Sequence, residues 1–83
     1  MNVTIRYFAS IREALGSAEA IELPPGTTVG QLRAQLRERS PIHASALAPG
    51  KALRCALNQT LCDESAVLGD NAEVAFFPPV TGG

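Results

Sequence analysis

The segment Thr28–Leu36 reads TVGQLRAQL and carries the clearest helix signal in the chain. The Thr28 side chain can accept a hydrogen bond from the backbone N–H of Gln31, and the Gln31 side chain can accept one from the backbone of Thr28. This reciprocal pair is the capping box that begins many helices. The apolar residues recur at the spacing of one helical face, at Val29, Leu32 and Leu36. We therefore predict a helix that covers a sheet and that stops at Ser40-Pro41, because proline lacks an N–H and disfavours a helical predecessor.

Two strand-like segments precede this helix. Residues 2–8 alternate with a period of two, so Phe8 lies on the face opposite to the expected core residues Val3, Ile5 and Tyr7. Residues 18–23 predict a second strand, which ends at the turn Pro24-Pro25-Gly26. Between the strands, Ser10–Glu13 has the form of a capping box, which predicts a short helical turn that Gly16 stops.

The segments after the helix predict further strands. Residues 42–50 predict a short turn of helix and a loop. Residues 53–57 alternate between two faces and predict a third strand. Asn58-Gln59 turns the chain, and residues 60–62 can pair as a short fourth strand. A final strand runs from about Glu73 to Phe77, with Phe77 on the face opposite to Val74 and Phe76.

This order of elements predicts an α+β fold, the ubiquitin-like β-grasp, in which a mixed sheet packs on one main helix. The chain has 83 residues, which is enough for one domain. We expect residues 1–77 to form the β-grasp domain and residues 78–83 to form an extended C-terminal Gly-Gly tail.

Composition excludes several classes of function. The net charge of −1 gives no general attraction to nucleic acid or to an anionic membrane. No run of about 18 apolar residues is present to span a bilayer, and the N-terminus alternates like a strand, unlike a signal peptide. We therefore expect a cytoplasmic protein, in which Cys55 and Cys62 are free thiols.

The last residues, Phe76–Gly83, read FFPPVTGG and predict a projecting end. Proline fixes φ and keeps the preceding chain extended. Glycine lacks a Cβ, so Gly82 and Gly83 can enter a channel that is too narrow for other residues. The end is therefore expected to be a tail suited to insertion into a partner.

The chain resembles, over nearly its whole length, the small subunit of molybdopterin synthase, a ubiquitin-like sulfur carrier. The residues that carry the resemblance are Tyr7-Phe8-Ala9 with Arg12-Glu13, Asn58–Leu61, Leu68–Asp70, Glu73–Val80 and the terminal Gly82-Gly83.

The resemblance implies that an E1-like enzyme adenylates the Gly83 carboxylate and that a sulfur donor of desulfurase or rhodanese type then converts it to a thiocarboxylate. The tail would enter the large synthase subunit and give sulfur to cyclic pyranopterin monophosphate, and two such transfers form the molybdopterin dithiolene. AMP and sulfur would be carried covalently at Gly83, with no bound cofactor and no metal. Catalytic residues would lie on the large subunit, and the complex would be a heterotetramer of two small and two large subunits.

The same resemblance places a partner-binding surface on Phe8, Leu61 and Phe77, and continues it along Pro78, Pro79, Val80 and Thr81. Alternation independently puts Phe8 and Phe77 opposite the core, where apolar groups mark an interaction site. A plainer alternative is that Phe77 packs under a loop or under the short helix at Ser10. In the tail, Gly82 would leave clearance beside the reacting Gly83.

Two other interpretations, from different classes of protein, stay open. The chain could be a ubiquitin-like sulfur carrier for thiamine, cysteine or tRNA thiolation, or a modifier joined to lysines; it could also be a passive interaction domain. Among the remaining residues, Cys55 is predicted to be a small hydrophobic residue of the core, and His43 is predicted to lie at the surface. The role of Cys62 stays open. Three arginines, Arg33, Arg37 and Arg39, are interpreted as the solvated face of the helix, and the alternative is a basic edge that helps to meet an acidic partner. Because no phosphate loop or catalytic triad is evident, adenylation is expected to reside in another protein.

Overall fold

The structure, a computed structural model, describes residues 1–79. Its elements in chain order are β1 (Asn2–Tyr7), α1 (Ala9–Leu15), β2 (Ala18–Glu22), α2 (Val29–Arg37), α3 (Pro41–Ala46), β3 (Arg54–Leu57), β4 (Thr60–Cys62) and β5 (Ala72–Phe77). Within that range, no helix has the length and apolar character needed to cross a membrane.

The five strands form one mixed sheet in the order β2-β1-β5-β3-β4, which confirms the predicted sheet. The first and last strands, β1 and β5, are parallel neighbours, with Ile5 opposite Val74 and Tyr7 opposite Phe76. The other three pairs are antiparallel. A parallel pair needs a crossover connection, and the helices supply it on one face of the sheet. The last strand therefore lies at the centre of the sheet.

The core lies between the sheet and α2. The predicted capping box is present, because the Gln31 backbone N–H donates to Thr28 Oγ1 (3.2 Å) and the Thr28 backbone N–H donates to Gln31 Oε1 (3.0 Å). The predicted apolar face of α2 is fully buried. It packs in one cluster with the inward residues of the central strands, Val3, Ile5, Tyr7, Val74 and Phe76.

The first helix differs from its prediction. It begins at Ala9, and Phe8 occupies the N-cap without a side-chain hydrogen bond, so Ser10 is not the cap. The reason is that the Phe8 carbonyl already accepts from the Arg12 N–H (3.4 Å), which places Ser10 inside the first turn. Gly16 ends the helix at φ +92°, as predicted, because that backbone angle suits glycine.

Arg33 was predicted on a solvated face, and that prediction is wrong. Only 5% of the residue is exposed. Its guanidinium donates to Glu64 Oε2 (2.6 Å) and, in a cluster of backbone contacts, to the carbonyls of Leu47, Ala48 and Lys51. The arginine thus satisfies the carbonyls of the chain between α3 and β3, which would otherwise be costly to bury.

Candidate functional site

The face of the sheet that the helices leave uncovered is termed the open face. On this face, one row of directly opposed residues crosses all five strands. Strand register places Arg6 between Ala18 and Ala75, then Ala75 beside Ala56, and Ala56 beside Leu61. The middle of this face therefore carries small side chains between larger ones.

Large apolar side chains flank these alanines. Leu61 is 61% exposed and Phe8 is 43% exposed. Phe77 is half-buried and lies on the same face as Ala75, two residues earlier in β5. Phe8 follows β1 directly, and its N–H donates to the Phe76 carbonyl (3.2 Å), which holds it beside the end of β5. The three residues predicted as a patch thus belong to one face.

Charged groups surround this apolar centre. Arg6 pairs with Glu73 at 4.0 Å; about half of the Arg6 side chain is exposed, and the Glu73 side chain is partly buried. The Arg6 guanidinium also lies 6.0 Å from the centre of the Phe8 ring, within the range of a cation–π contact. Arg54 stands opposite Phe77 in the strand register. An apolar centre with a charged rim is the usual arrangement of a protein–protein interface.

The tail begins at the centre of the sheet. Pro78 is half-buried and Pro79 is exposed, directly after β5. The predicted site residues Val80, Thr81, Gly82 and Gly83 lie outside the described residues. Sequence reasoning did not single out Arg6, Arg54, Ala56 or Ala75 for this surface, although the alternation that placed Phe8 outward also places Arg6 there.

A polar cluster joins α3 to β2, and it corrects the prediction that His43 is a surface residue. The His43 side chain is 16% exposed, with Nε2 2.8 Å from Glu19 Oε2 and Nδ1 2.8 Å from Ser40 Oγ. Tyr7 Oη donates to the same carboxylate (2.7 Å), and Arg39 pairs with its other oxygen. The arginine is therefore an ion-pair partner and not only a solvated group.

Ser40, His43 and Glu19 are the residue types of a hydrolase triad, but here their hydrogen bonds hold the fold together. Ser40 is the N-cap of α3, and its Oγ accepts from the His43 backbone N–H (3.1 Å). Burial acts to raise the pKa of Glu19, but the hydrogen bonds from His43 and Tyr7, with the charges of His43 and Arg39, outweigh it and hold that pKa below its usual value. Burial, with the Glu19 hydrogen bond, raises the pKa of Tyr7, so the phenol remains a donor. The cluster fastens α3 to the sheet.

The two cysteines lie opposite each other in the β3–β4 pair. Cys55 is 5% exposed and belongs to the core cluster, which confirms its prediction as a small hydrophobe. Cys62 is half-buried against that cluster, and both thiols are free. Within residues 1–79, no three histidine, cysteine or carboxylate side chains meet to hold a metal ion.

A mixed sheet with helices on one face, an apolar open face on the other and a central last strand that leads to the chain's end defines a ubiquitin-like β-grasp protein. The crystal structure of SAMP1 from Haloferax volcanii has this fold, with a TM-score of 0.82, 24% identity and coverage of 100% of both chains. The predicted fold class is confirmed.

The chain belongs to the ThiS family, whose model matches residues 5–83. A relative from Escherichia coli K12, the molybdopterin synthase sulfur carrier subunit, is 42% identical over 81 residues, which cover 98% of this chain and 99% of the relative. A solved complex of subunits 1 and 2 of molybdopterin-converting factor from Helicobacter pylori contains a chain that is 30% identical, with a TM-score of 0.70 and coverage of 100% of both chains. The resemblance inferred from the sequence is confirmed.

Proposed function

We propose that this chain is the sulfur carrier for molybdenum cofactor biosynthesis and the small subunit of a molybdopterin synthase. The observation that carries the proposal is the match to a sulfur carrier subunit along 98% of this chain and 99% of that relative. The family match also extends through Gly83, where the chemistry would occur.

Gly83 would be the chemical end of the carrier. A carboxylate resists attack by nucleophiles, so an E1-like enzyme first joins it to AMP, and sulfur from a donor of desulfurase or rhodanese type then displaces AMP. The sulfur of the resulting thiocarboxylate would bond to a carbon of cyclic pyranopterin monophosphate. Water would then cleave the bond between that sulfur and the Gly83 carbonyl carbon, which leaves the sulfur on the pterin and returns the carboxylate for another cycle. Gly82 supports this role because it has no Cβ to obstruct the approach to its neighbour.

The length of the tail would allow its end to act at a distance from the folded body. From Phe77 to Gly83 the chain has six further residues, which extend to about 20 Å at roughly 3.3 Å each. That length is sufficient for the end to enter a buried site while the β-grasp domain remains outside. Pro78, Pro79, Val80 and Thr81 would line the entry.

Docking would use the open face. Its apolar residues Phe8 and Phe77 lie beside the end of β5, where the tail starts, and Leu61 lies on the edge strand β4 of the same face. The charged residues Arg6, Glu73 and Arg54 lie near them. The Helicobacter pylori complex pairs its subunit 1 with a subunit 2, and we infer that this chain pairs likewise with a large synthase subunit, as a heterotetramer of two small and two large subunits.

The chain would act as a non-catalytic subunit in the cytoplasm. Ser40, His43 and Glu19 have the composition of a catalytic triad, but their hydrogen bonds cap α3 and join it to β2. We expect the E1-like enzyme and the large subunit to catalyse adenylation and sulfur transfer.

The test is transfer from the charged protein. The chain is prepared with a thiocarboxylate at Gly83 and mixed with the large subunit and cyclic pyranopterin monophosphate. We expect the sulfur to leave the protein and the dithiolene to form, both followed by mass spectrometry. The matched control carries one additional residue after Gly83 and should fold normally but fail to be charged.

Other acceptors distinguish the related carrier functions. Transfer of sulfur to a thiamine, cysteine or tRNA precursor system, with none to the pterin, would contradict the proposed pathway while preserving the carrier chemistry. Formation of lysine-linked adducts in place of sulfur transfer would instead identify a modifier.

A further inference from the structure

Two thiols lie in contact on neighbouring strands, away from the open face. Cys62 Sγ lies 3.6 Å from Cys55 Sγ and donates to it, while Cys55 Sγ donates to the Cys62 carbonyl oxygen (3.3 Å). The two residues are direct cross-strand partners in the β3–β4 pair. Directly opposed residues of antiparallel strands have Cα atoms roughly 4.5–5.5 Å apart, within the span that a disulfide bridges.

We propose that Cys55 and Cys62 are a redox-active dithiol that small organic disulfides oxidise to an intrachain disulfide. This assignment does not depend on the sulfur carried at Gly83, because it involves only the two thiols and an added oxidant. The sulfurs are already in contact, so closing the bond to about 2.05 Å requires a side-chain adjustment and no rearrangement of the sheet.

The reaction has two exchange steps. The Cys62 thiolate attacks one sulfur of the oxidant R–S–S–R, which forms a Cys62–S–S–R mixed disulfide and releases R–S⁻. Cys55 then loses its proton to solvent, and its thiolate attacks the Cys62 sulfur and releases the second R–S⁻. Both cysteines are oxidised, and one oxidant disulfide is reduced to two thiols.

Burial assigns the order of these steps. Cys62 is half-buried and can meet a small oxidant, whereas Cys55 is 5% exposed and cannot. Burial, with the hydrogen bond and charge of Cys62 and the nearby carboxylates of Glu64 and Asp63, raises the pKa of Cys55 to about 12. Cys62 is therefore the thiol that reacts first, by attacking the oxidant from its half-buried position, and Cys55 is the resolving thiol.

The bond would fasten an edge of the sheet. β4 has three residues and lies at the edge of the sheet, where β3 is its one neighbour among the described strands, so it is held by few backbone hydrogen bonds. Leu61, the neighbour of Cys62, projects from this strand to the open face. A disulfide between β3 and β4 would restrict the hairpin that carries Leu61.

The test uses the full chain, reduced and folded, with bis(2-hydroxyethyl) disulfide as a neutral oxidant. We expect the mass to fall by two hydrogens, both thiols to become unreactive to iodoacetamide in denaturant, and dithiothreitol to restore them. Amide hydrogen exchange in residues 60–62 should slow in the oxidised form. A mixed disulfide that persists at Cys62, a disulfide-linked dimer, or no reaction before unfolding would each overturn the proposal.

Single variants separate the two thiols. In Cys55→Ala the mixed disulfide at Cys62 should accumulate, because the resolving thiol is missing. In Cys62→Ser, which changes the more exposed position and serves if Cys55→Ala fails to fold, the native protein should not react at all. Reaction of Cys55 in folded Cys62→Ser at the rate of the unaltered chain would contradict the assigned order.

Discussion

The open face makes a quantitative prediction for Leu61→Ala. Full burial of a leucine side chain contributes roughly 1.5–3 kcal/mol. Because 61% of Leu61 is still exposed in this chain, a partner that covers it can gain about 1–2 kcal/mol from this residue. The substitution should therefore raise the Kd for the large synthase subunit about 5- to 30-fold.

Val67→Ala provides the matched control. Val67 is also 61% exposed, but it pairs with Thr28 outside the strands of the open face. Isothermal titration calorimetry should detect the loss of affinity for Leu61→Ala and an unchanged Kd for Val67→Ala. Urea unfolding should show both variants within about 0.5 kcal/mol of the parent chain, because exposed substitutions cost little stability. Equal Kd values for the two variants would refute the assignment of Leu61 to the interface.

Three further predictions concern the fold and the tail. Arg33→Ala should lower the free energy of unfolding by about 1–3 kcal/mol, because it leaves the buried carbonyl of Leu47 without its donor and removes the partly exposed ion pair with Glu64; Arg37→Ala, on the same helix and less buried, is the control in urea unfolding, and a similar loss in both would contradict the role of Arg33. The pKa of Glu19 is lowered in the folded state, so its carboxylate should stabilise the fold at pH values above 4.5, and that stability should be lost as the pH falls through the folded pKa. Glu19→Gln should therefore show a flatter pH dependence of the free energy of unfolding in urea, and identical profiles would show that this carboxylate does not contribute to the pH dependence. Gly82→Ala should fold normally but transfer sulfur more slowly, because a methyl group would enter a narrow channel. A normal transfer rate measured with the large subunit would contradict the hypothesis that the channel is too narrow for a side chain at position 82.

The elements that could be predicted from the sequence are those determined by near neighbours. The capping box of α2 links residues three apart, and the outward position of Phe8 follows from alternation within one strand. The order of elements suggested the β-grasp fold, whereas the order of the strands within the sheet could not be established from alternation. The start of α1 was misplaced because Ser10 has the composition of a cap, whereas the Phe8 carbonyl makes the first helical bond.

The surroundings of Arg33 and His43 depend on residues far along the chain. Arg33 contacts Glu64, 31 residues away, and His43 contacts Glu19, 24 residues away. Local periodicity places such residues on a polar face but contains no information about which buried acceptors the fold brings to them. For the candidate site, alternation found Phe8 and Phe77, while the cross-strand row through Ala56 and Ala75 required the strand register.

The parallel pairing of β1 and β5 also has a mechanical consequence. Both ends of the domain lie on adjacent central strands that run in the same direction, and β5 is bonded on its other side to β3. Tension applied between the termini would shear these ladders along their length, so many hydrogen bonds would bear the load together instead of opening one at a time. A partner that pulls on the chain's end would therefore meet high resistance to unravelling.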